Sequence, residues 1–278
     1  MNVDIFDSTP VKVMAHDFLQ RDFKSIEQSF ISAFNKLTGE HNAYGCVGID
    51  GCKGKWVAVY ITEDHFEVEK FETISDICRR YSDADSMIID IPIGLVESKT
   101  DIRPDQLVKK QLGKKASSIF EVPCRQAVYA NDKPSAREQN IAILGKSLSE
   151  QTLGITKGIK QVDEFLQDHP MWKNKLLESH PEFCFSKLND NHPILEHKTT
   201  AEGQKKRLEV LEKYYTEANQ VVAKFLADVP YRKKTDDVID ALCLAVIGKI
   251  VFEKGLKTIP EEPMMDARGI LMQMVYGE

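Results

Sequence analysis

The chain has 278 residues, 42% of them hydrophobic and 29% charged, which is ordinary for a folded domain and supplies enough apolar material for a sizeable core. Lys and Arg total 37 against 43 Asp and Glu, so the formal net charge is −6, and the overall basic field of a high-affinity nucleic-acid binder is absent although a local basic groove is still allowed. No apolar run approaches the ~18 residues that span a bilayer, no signal peptide is evident, and the six cysteines are scattered without a C-x-x-C pair.

Taken in chain order, residues 1–43 read as an N-terminal extension. Phe23, Ile26, Phe30, Ala33 and Leu37 recur at helical spacing before Gly39. They predict one amphipathic helix that packs on the main body or, as a homodimer contact, on a second copy. The main domain is expected over 44–278. GCVGIDG, KWVAVYI and HFEVEKFE give three short strands joined by tight turns, a β-meander. Thr73 then opens a helix through about Tyr81, and SMIIDIPIGL reads as a strand buried on both faces, with Asp90 inside it. Three meandering strands, a helix and a buried strand predict a mixed sheet.

Residues 97–170 are polar and lysine-rich and read as an insertion of loops and short helices. KLLESHPEFCF supplies another short strand that leads out at His180 and Pro181. From Thr200 the stripe Leu208, Leu211, Tyr215, Ala218, Val222 and Phe225 predicts a helix. A final helix is expected from Thr235, as N-cap, to about Lys254, with Gly255 as its stop. The scattered cysteines are most simply reduced thiols in a cytoplasm.

The acids stand out by position. Asp50 ends the first strand, Asp90 lies in an aliphatic one, Glu178 and Glu182 flank the later strand, and Asp236, Asp237 and Asp240 open the last helix. Aspartate is depleted in strands and rarely buried without a partner. Asp237 and Asp240, three apart, share a helical face. The helix dipole accounts for Asp236 and Asp237 in the first turn but less well for Asp240. Converging carboxylates repel unless a cation sits between them, and oxygen-only ligation suits Mg2+ or Mn2+. Two such ions would activate water for phosphodiester hydrolysis.

GIDGCKGKW, IIDIPIGL, LGKKASSIFEVPCRQAVY, ESHPEFCF and TDDVIDAL, in that order, resemble the domain-of-unknown-function family 429, described as predicted nucleases with an RNase H-like fold. The resemblance covers roughly residues 44–270. It implies an RNase H-like mixed five-stranded sheet flanked by helices, with Asp50, Asp90, Asp237 and Asp240 as catalytic and metal-binding acids. Glu178 or Glu182 comes from a further strand, as catalytic and metal-binding residue respectively. It also implies a nucleic acid or nucleotide as substrate. Within the matched LGKKASSIFEVPCRQAVY motif and beside it, Arg103, Lys115, Ser117, Ser118 and Arg125 are candidate phosphate contacts, with the stretch before Ile119 and Phe120 held against the core. His180, in E-S-H-P-E, is a supporting group for substrate or water, or a polar cap. Cys52 beside Asp50 reads as a packing residue.

Two other readings stay open. One is an actin-like, sugar-kinase-like phosphotransferase, although the turn after Asp50 (Gly51, Cys52, Lys53, Gly54) lacks the Ser or Thr that contacts phosphate. The other is a catalytically silent nucleotide- or nucleic-acid-binding protein.

Overall fold

The computed structural model describes residues 44–52, 54–227 and 234–278. The helix expected within residues 1–43, and the self-association expected of it, lie outside the described residues. The described part opens as anticipated with a meander: β1 (Cys46–Cys52), β2 (Lys55–Ile61) and β3 (Phe66–Phe71) pair antiparallel, with Asp50 opposite Val57. Gly54 takes a φ of +76° in the β1–β2 turn, a backbone setting that a Cβ disfavours. Thr73 caps α1 (Ile74–Arg80) by accepting from the Asp76 N–H at 3.2 Å. The chain then enters β4 (Ser86–Ile89), which pairs parallel to β1, and later β5 (Leu176–Glu178), which pairs parallel to β4. The sheet order is β3-β2-β1-β4-β5. This is the mixed five-stranded, helix-flanked sheet of an RNase H-like fold.

Between β4 and β5 lie α2 (Pro104–Leu112), α3 (Arg125–Val128), α4 (Lys133–Leu144) and α5 (Glu150–Asp168). The segment is less loop-like than its composition predicts, because α5 alone is 19 residues long and buries Ile159, Val162 and Leu166. After β5 come α6 (Pro181–Leu188), α7 (Ala201–Leu211), α8 (Ala218–Ala227) and α9 (Thr235–Lys254). The single helical stripe expected from Thr200 is thus two helices. The chain turns at 212–217 while Tyr215 stays buried. Thr200 caps α7 through its hydroxyl, which accepts from the Gly203 N–H at 3.1 Å. Lys234, not Thr235, is the N-cap of α9, and Gly255 ends it. A hairpin of β6 (Lys257–Met265) and β7 (Leu271–Tyr276) follows, which the sequence reading did not anticipate.

Strand parity sorts the side chains into two layers. Val47, Ile49, Ala58, Met87 and Ile89 pack with Ile77 of α1 and with Ile159 and Val162 of α5. Cys46, Val57, Val59 and Ile88, of the opposite parity, pack beneath α9 with side chains of α6, α7 and α8. Helix α9 is apolar nearly all round, as a helix buried on every side must be: Val238, Ile239, Leu242, Leu244, Val246, Ile247 and Ile250 are all buried. Glycine sets its distance from the sheet. A Cβ at Gly48 would collide with the Ala241 carbonyl and the Ala245 nitrogen, and one at Gly248 would strike the Ser86 hydroxyl. α9 therefore crosses directly over β1, which brings its first turns to the end of that strand. No helix among the described residues is long and apolar enough to cross a membrane.

Candidate functional site

Parity carries the acids as well. Asp50 alternates with Ile49, so it shares the side of β1 that faces α9. Asp90 has the parity of Ile88. It lies one residue beyond β4 rather than inside it, and its N–H donates to the Ile49 carbonyl at 2.9 Å. Asp237 and Asp240 come down from α9, both buried. Four acids from three elements thus share one side of the sheet at the ends of β1 and β4.

A fifth group, Lys198, joins them from the loop between α6 and α7. Its ammonium forms an ion pair with the Asp240 Oδ2 atom. The lysine side chain keeps 37% of its surface exposed while that of Asp240 keeps 2%. The charges act on one another. Burial pushes the Asp50 carboxyl well above the ordinary carboxylate range, and the Asp90 and Asp240 charges push it further, with Lys198 opposing them. Burial lifts Asp240 to about 6 against the pull of Lys198, and it lifts Asp237 too. Burial acts to lower Lys198, but Asp240, Asp50 and Asp90 together hold it above its usual value. Carboxyls that keep a proton towards neutrality beside an ionised partner can store and pass protons.

The hydrogen bonds of these acids are incomplete. The Asp50 Oδ1 accepts from the Gly51 N–H at 2.7 Å. Asp237 interacts with the Cys52 thiol, and its Oδ2 has the Lys234 ammonium 3.5 Å away. Yet the Asp237 Oδ2 and the Asp240 Oδ1, both buried, lack a hydrogen-bond donor.

The glutamates are committed elsewhere. Glu178 has the parity of Leu176, the β5 residue in the α5 layer, so it leaves the sheet on the side away from Asp50. There it accepts two hydrogen bonds from Arg103 at 2.6 and 2.8 Å and one from the Ile93 N–H at 2.7 Å. Burial still raises it to about 7 against those donors. Glu182 lies in the first turn of α6, not on a strand. It shares the Asp240 side, where its charge reaches that carboxyl, and it pairs with buried Arg207 at 2.5 Å.

The expected phosphate contacts divide similarly. Arg103 spends its remaining donors on Asp105 and on the Ile93 and Gly94 carbonyls, leaving none for phosphate. Arg125 is held by Glu97, Asp163 and Asp266. The Ser118 hydroxyl donates to the Lys115 carbonyl at 2.7 Å, Ser117 is exposed in the 3-10 turn, and the Lys115 ammonium reaches the Glu196 carbonyl at 3.4 Å. Ile119 is buried but Phe120 is 37% exposed, so only half of that pair is held against the core. His180 is the N-cap of α6, its Nδ1 accepting from the Glu182 N–H at 3.2 Å. Cys52 is buried, and burial raises its thiol away from nucleophilic use.

The metal reading fails on this geometry. Among the described residues no group of three or more His, Cys, Asp or Glu side chains is placed to hold a metal ion. The expected Mg2+ or Mn2+ cofactor, the two-cation hydrolysis and the nuclease assignment are corrected accordingly. The physical reason is visible in the partners: Glu178 is neutralised by Arg103, Glu182 by Arg207 and Asp240 by Lys198.

A profile of the family described as "Protein of unknown function (DUF429)" matches residues 48–265. The chain belongs to this family. The matched span holds Asp50, Asp90, Glu178, Glu182, Asp237 and Asp240, together with Lys198. Searches of curated proteins and of solved structures each returned no match.

Proposed function

We propose that the acidic site between the ends of β1 and β4 and the start of α9 binds a nucleotide without a divalent cation. The observation that carries this reading is the pair of buried, donorless acceptors, Asp237 Oδ2 and Asp240 Oδ1. A buried acceptor left unmade costs about 1–3 kcal/mol, so a ligand bringing O–H or N–H donors gains what the protein alone forfeits. Ribose hydroxyls and base amino groups are such donors. Lys234, partly exposed, offers positive charge for a phosphate at the mouth. The negative total charge favours one small anion over a long strand, whose affinity rests on many neutralised phosphates.

The test is a binding screen of nucleosides, mono- and diphosphates and short single strands in the presence of EDTA, read by titration calorimetry. A nucleotide should bind saturably, and Asp237→Asn should weaken it by about tenfold, the loss of one good hydrogen bond to a charged group. No binding by any member, or binding that Asp237→Asn and Asp240→Asn both leave unchanged, would remove the proposal.

A further inference from the structure

Lys198 sits in a polar loop, yet the loop is built around it. The Glu196 carbonyl accepts from Arg207 at 3.1 Å and from Lys115 at 3.4 Å, and the Glu196 carboxylate pairs with Lys206. The His197 carbonyl accepts from the Thr200 hydroxyl at 2.8 Å and from its N–H at 3.0 Å. A Cβ at Gly203 would collide with that same carbonyl, so only glycine lets the loop lie on the first turn of α7. Arg207 is fixed in turn by Glu182 and by the Gly203 carbonyl at 3.0 Å. The two residues before Lys198 and Thr200 after it are therefore anchored, which limits the entropy lost in holding one lysine in place.

The groups that face its ammonium come from every neighbouring element. They are Asp50 from β1, Asp90 beyond β4 and Asp237 and Asp240 from α9, while Glu182 from α6, with Arg207 upon it, acts on Asp240 and Lys234 lies beside Asp237. Glu182 is answered by Arg207 and Asp237 has Lys234 nearby. Asp50, Asp90 and Asp240 are left with Lys198.

We propose that Lys198 is the resident cation of this acidic site, its ammonium compensating Asp50, Asp90 and Asp240 in the place where divalent ions were expected. The role is independent of nucleotide binding. It explains why carboxylates can converge here without a metal-ligand arrangement among the described residues. An ammonium on a tethered chain needs no loading and is present at every cation concentration.

The experiment compares thermal melts of wild type, Lys198→Met, Lys198→Arg and the Lys198→Met/Asp240→Asn double variant, with wild type also melted with and without Mn2+. Met keeps most of the apolar stem of lysine, one heavy atom shorter, and removes the charge with its N–H donors. Lys198→Met should lower Tm by about 5 °C or more, because it strands buried carboxylates. Lys198→Arg should keep most of the stability, and adding Asp240→Asn to Lys198→Met should recover part of what that change loses. Wild type should melt at the same temperature with Mn2+ as without. If Lys198→Met does not fold, recovery of a folded chain in the double variant supports the role equally, and failure of both counts against it. A Lys198→Met melt like wild type, a double variant no better than the single, or a saturable Mn2+ rise in wild type would each overturn the assignment.

Discussion

A carboxyl placed where Asp240 lies has two opposed influences on its charge, and their balance sets how the protein responds to pH. Burial alone would neutralise it, Lys198 alone would hold it ionised, and the net result is a value near 6, above that of an exposed aspartate. The folded state therefore binds a proton that the unfolded chain has already released. The sign follows from linkage: this carboxyl withdraws stability as pH rises from about 4 to about 6, and its contribution is constant above that. Asp240→Asn should flatten urea-derived stability across that window, removing a slope of at most ~1.4 kcal/mol per pH unit. Equal slopes for wild type and variant would show that Asp240 is ionised throughout. The sequence made this residue conspicuous, because an acid between Ile239 and Ala241 beyond the first helical turn has no dipole to explain it. It gave no such sign for Lys198. A lysine in a loop of His, Lys and Thr resembles any solvated lysine, and only the fold brings it 42 residues back to its partner.

At the scale of elements, the strands were legible as short apolar runs bounded by turn residues, although β1, β2 and β4 are buried on both faces. β1 and β2 alternate between two buried layers, and that alternation also told Asp50 which way to point. The sequence did not separate α7 from α8, because Tyr215 in the turn is as buried as the helical stripe around it. The C-terminal hairpin was hidden for a different reason. β6 contains Pro260 and Pro263 and the acids Glu261 and Glu262, a pattern that argues against a strand, and it pairs with β7 through a register shift between Ile259 and Met264. Glycines in the opening motif likewise look alike as letters but differ in surroundings. Gly48 lies against the α9 backbone, whereas a Cβ at Gly51 would meet nothing within 4 Å. Gly48→Ala should cost ~2 kcal/mol or more by forcing α9 off β1, and Gly51→Ala should stay within ~0.5 kcal/mol of wild type. Denaturant melts of the two variants check the contrast. Similar losses at both positions would mean that α9 does not depend on the close crossing at Gly48.

For the whole unit from Tyr44 to Glu278, the question is what binds the C-terminal hairpin to segments more than a hundred residues earlier. The answer lies in acids and arginines that the sequence offered for phosphate binding or did not single out. Asp163 on α5 accepts from Arg125 at 2.8 Å, from the Tyr129 hydroxyl at 2.6 Å and from Arg268 at 2.8 Å. Asp266, in the β6–β7 turn, accepts from Arg125 at 2.5 Å and from the Leu95 and Ile270 N–H groups at 3.0 and 2.9 Å. Three distant parts of the chain thus meet at Arg125: the segment after β4, helix α5 and the hairpin. Composition counts these charges but cannot pair them, since Arg125 and Asp266 lie 141 residues apart. A satisfied buried network need not exceed an apolar core in stability, but removing one member leaves its partners charged and dry. Asp163→Ala should therefore cost ~3–5 kcal/mol, because Arg125 and Arg268 both lose a carboxylate. Asp163→Asn should cost less, since the amide oxygen still accepts. If the network couples the hairpin to the sheet, both variants should expose β6 and β7 to amide hydrogen exchange before the five-stranded sheet, whereas wild type opens them together. Exchange that rises equally in the sheet and the hairpin would place the network within a single cooperative core. Exchange unchanged in both, with full stability, would show that Arg125 and Arg268 find other partners.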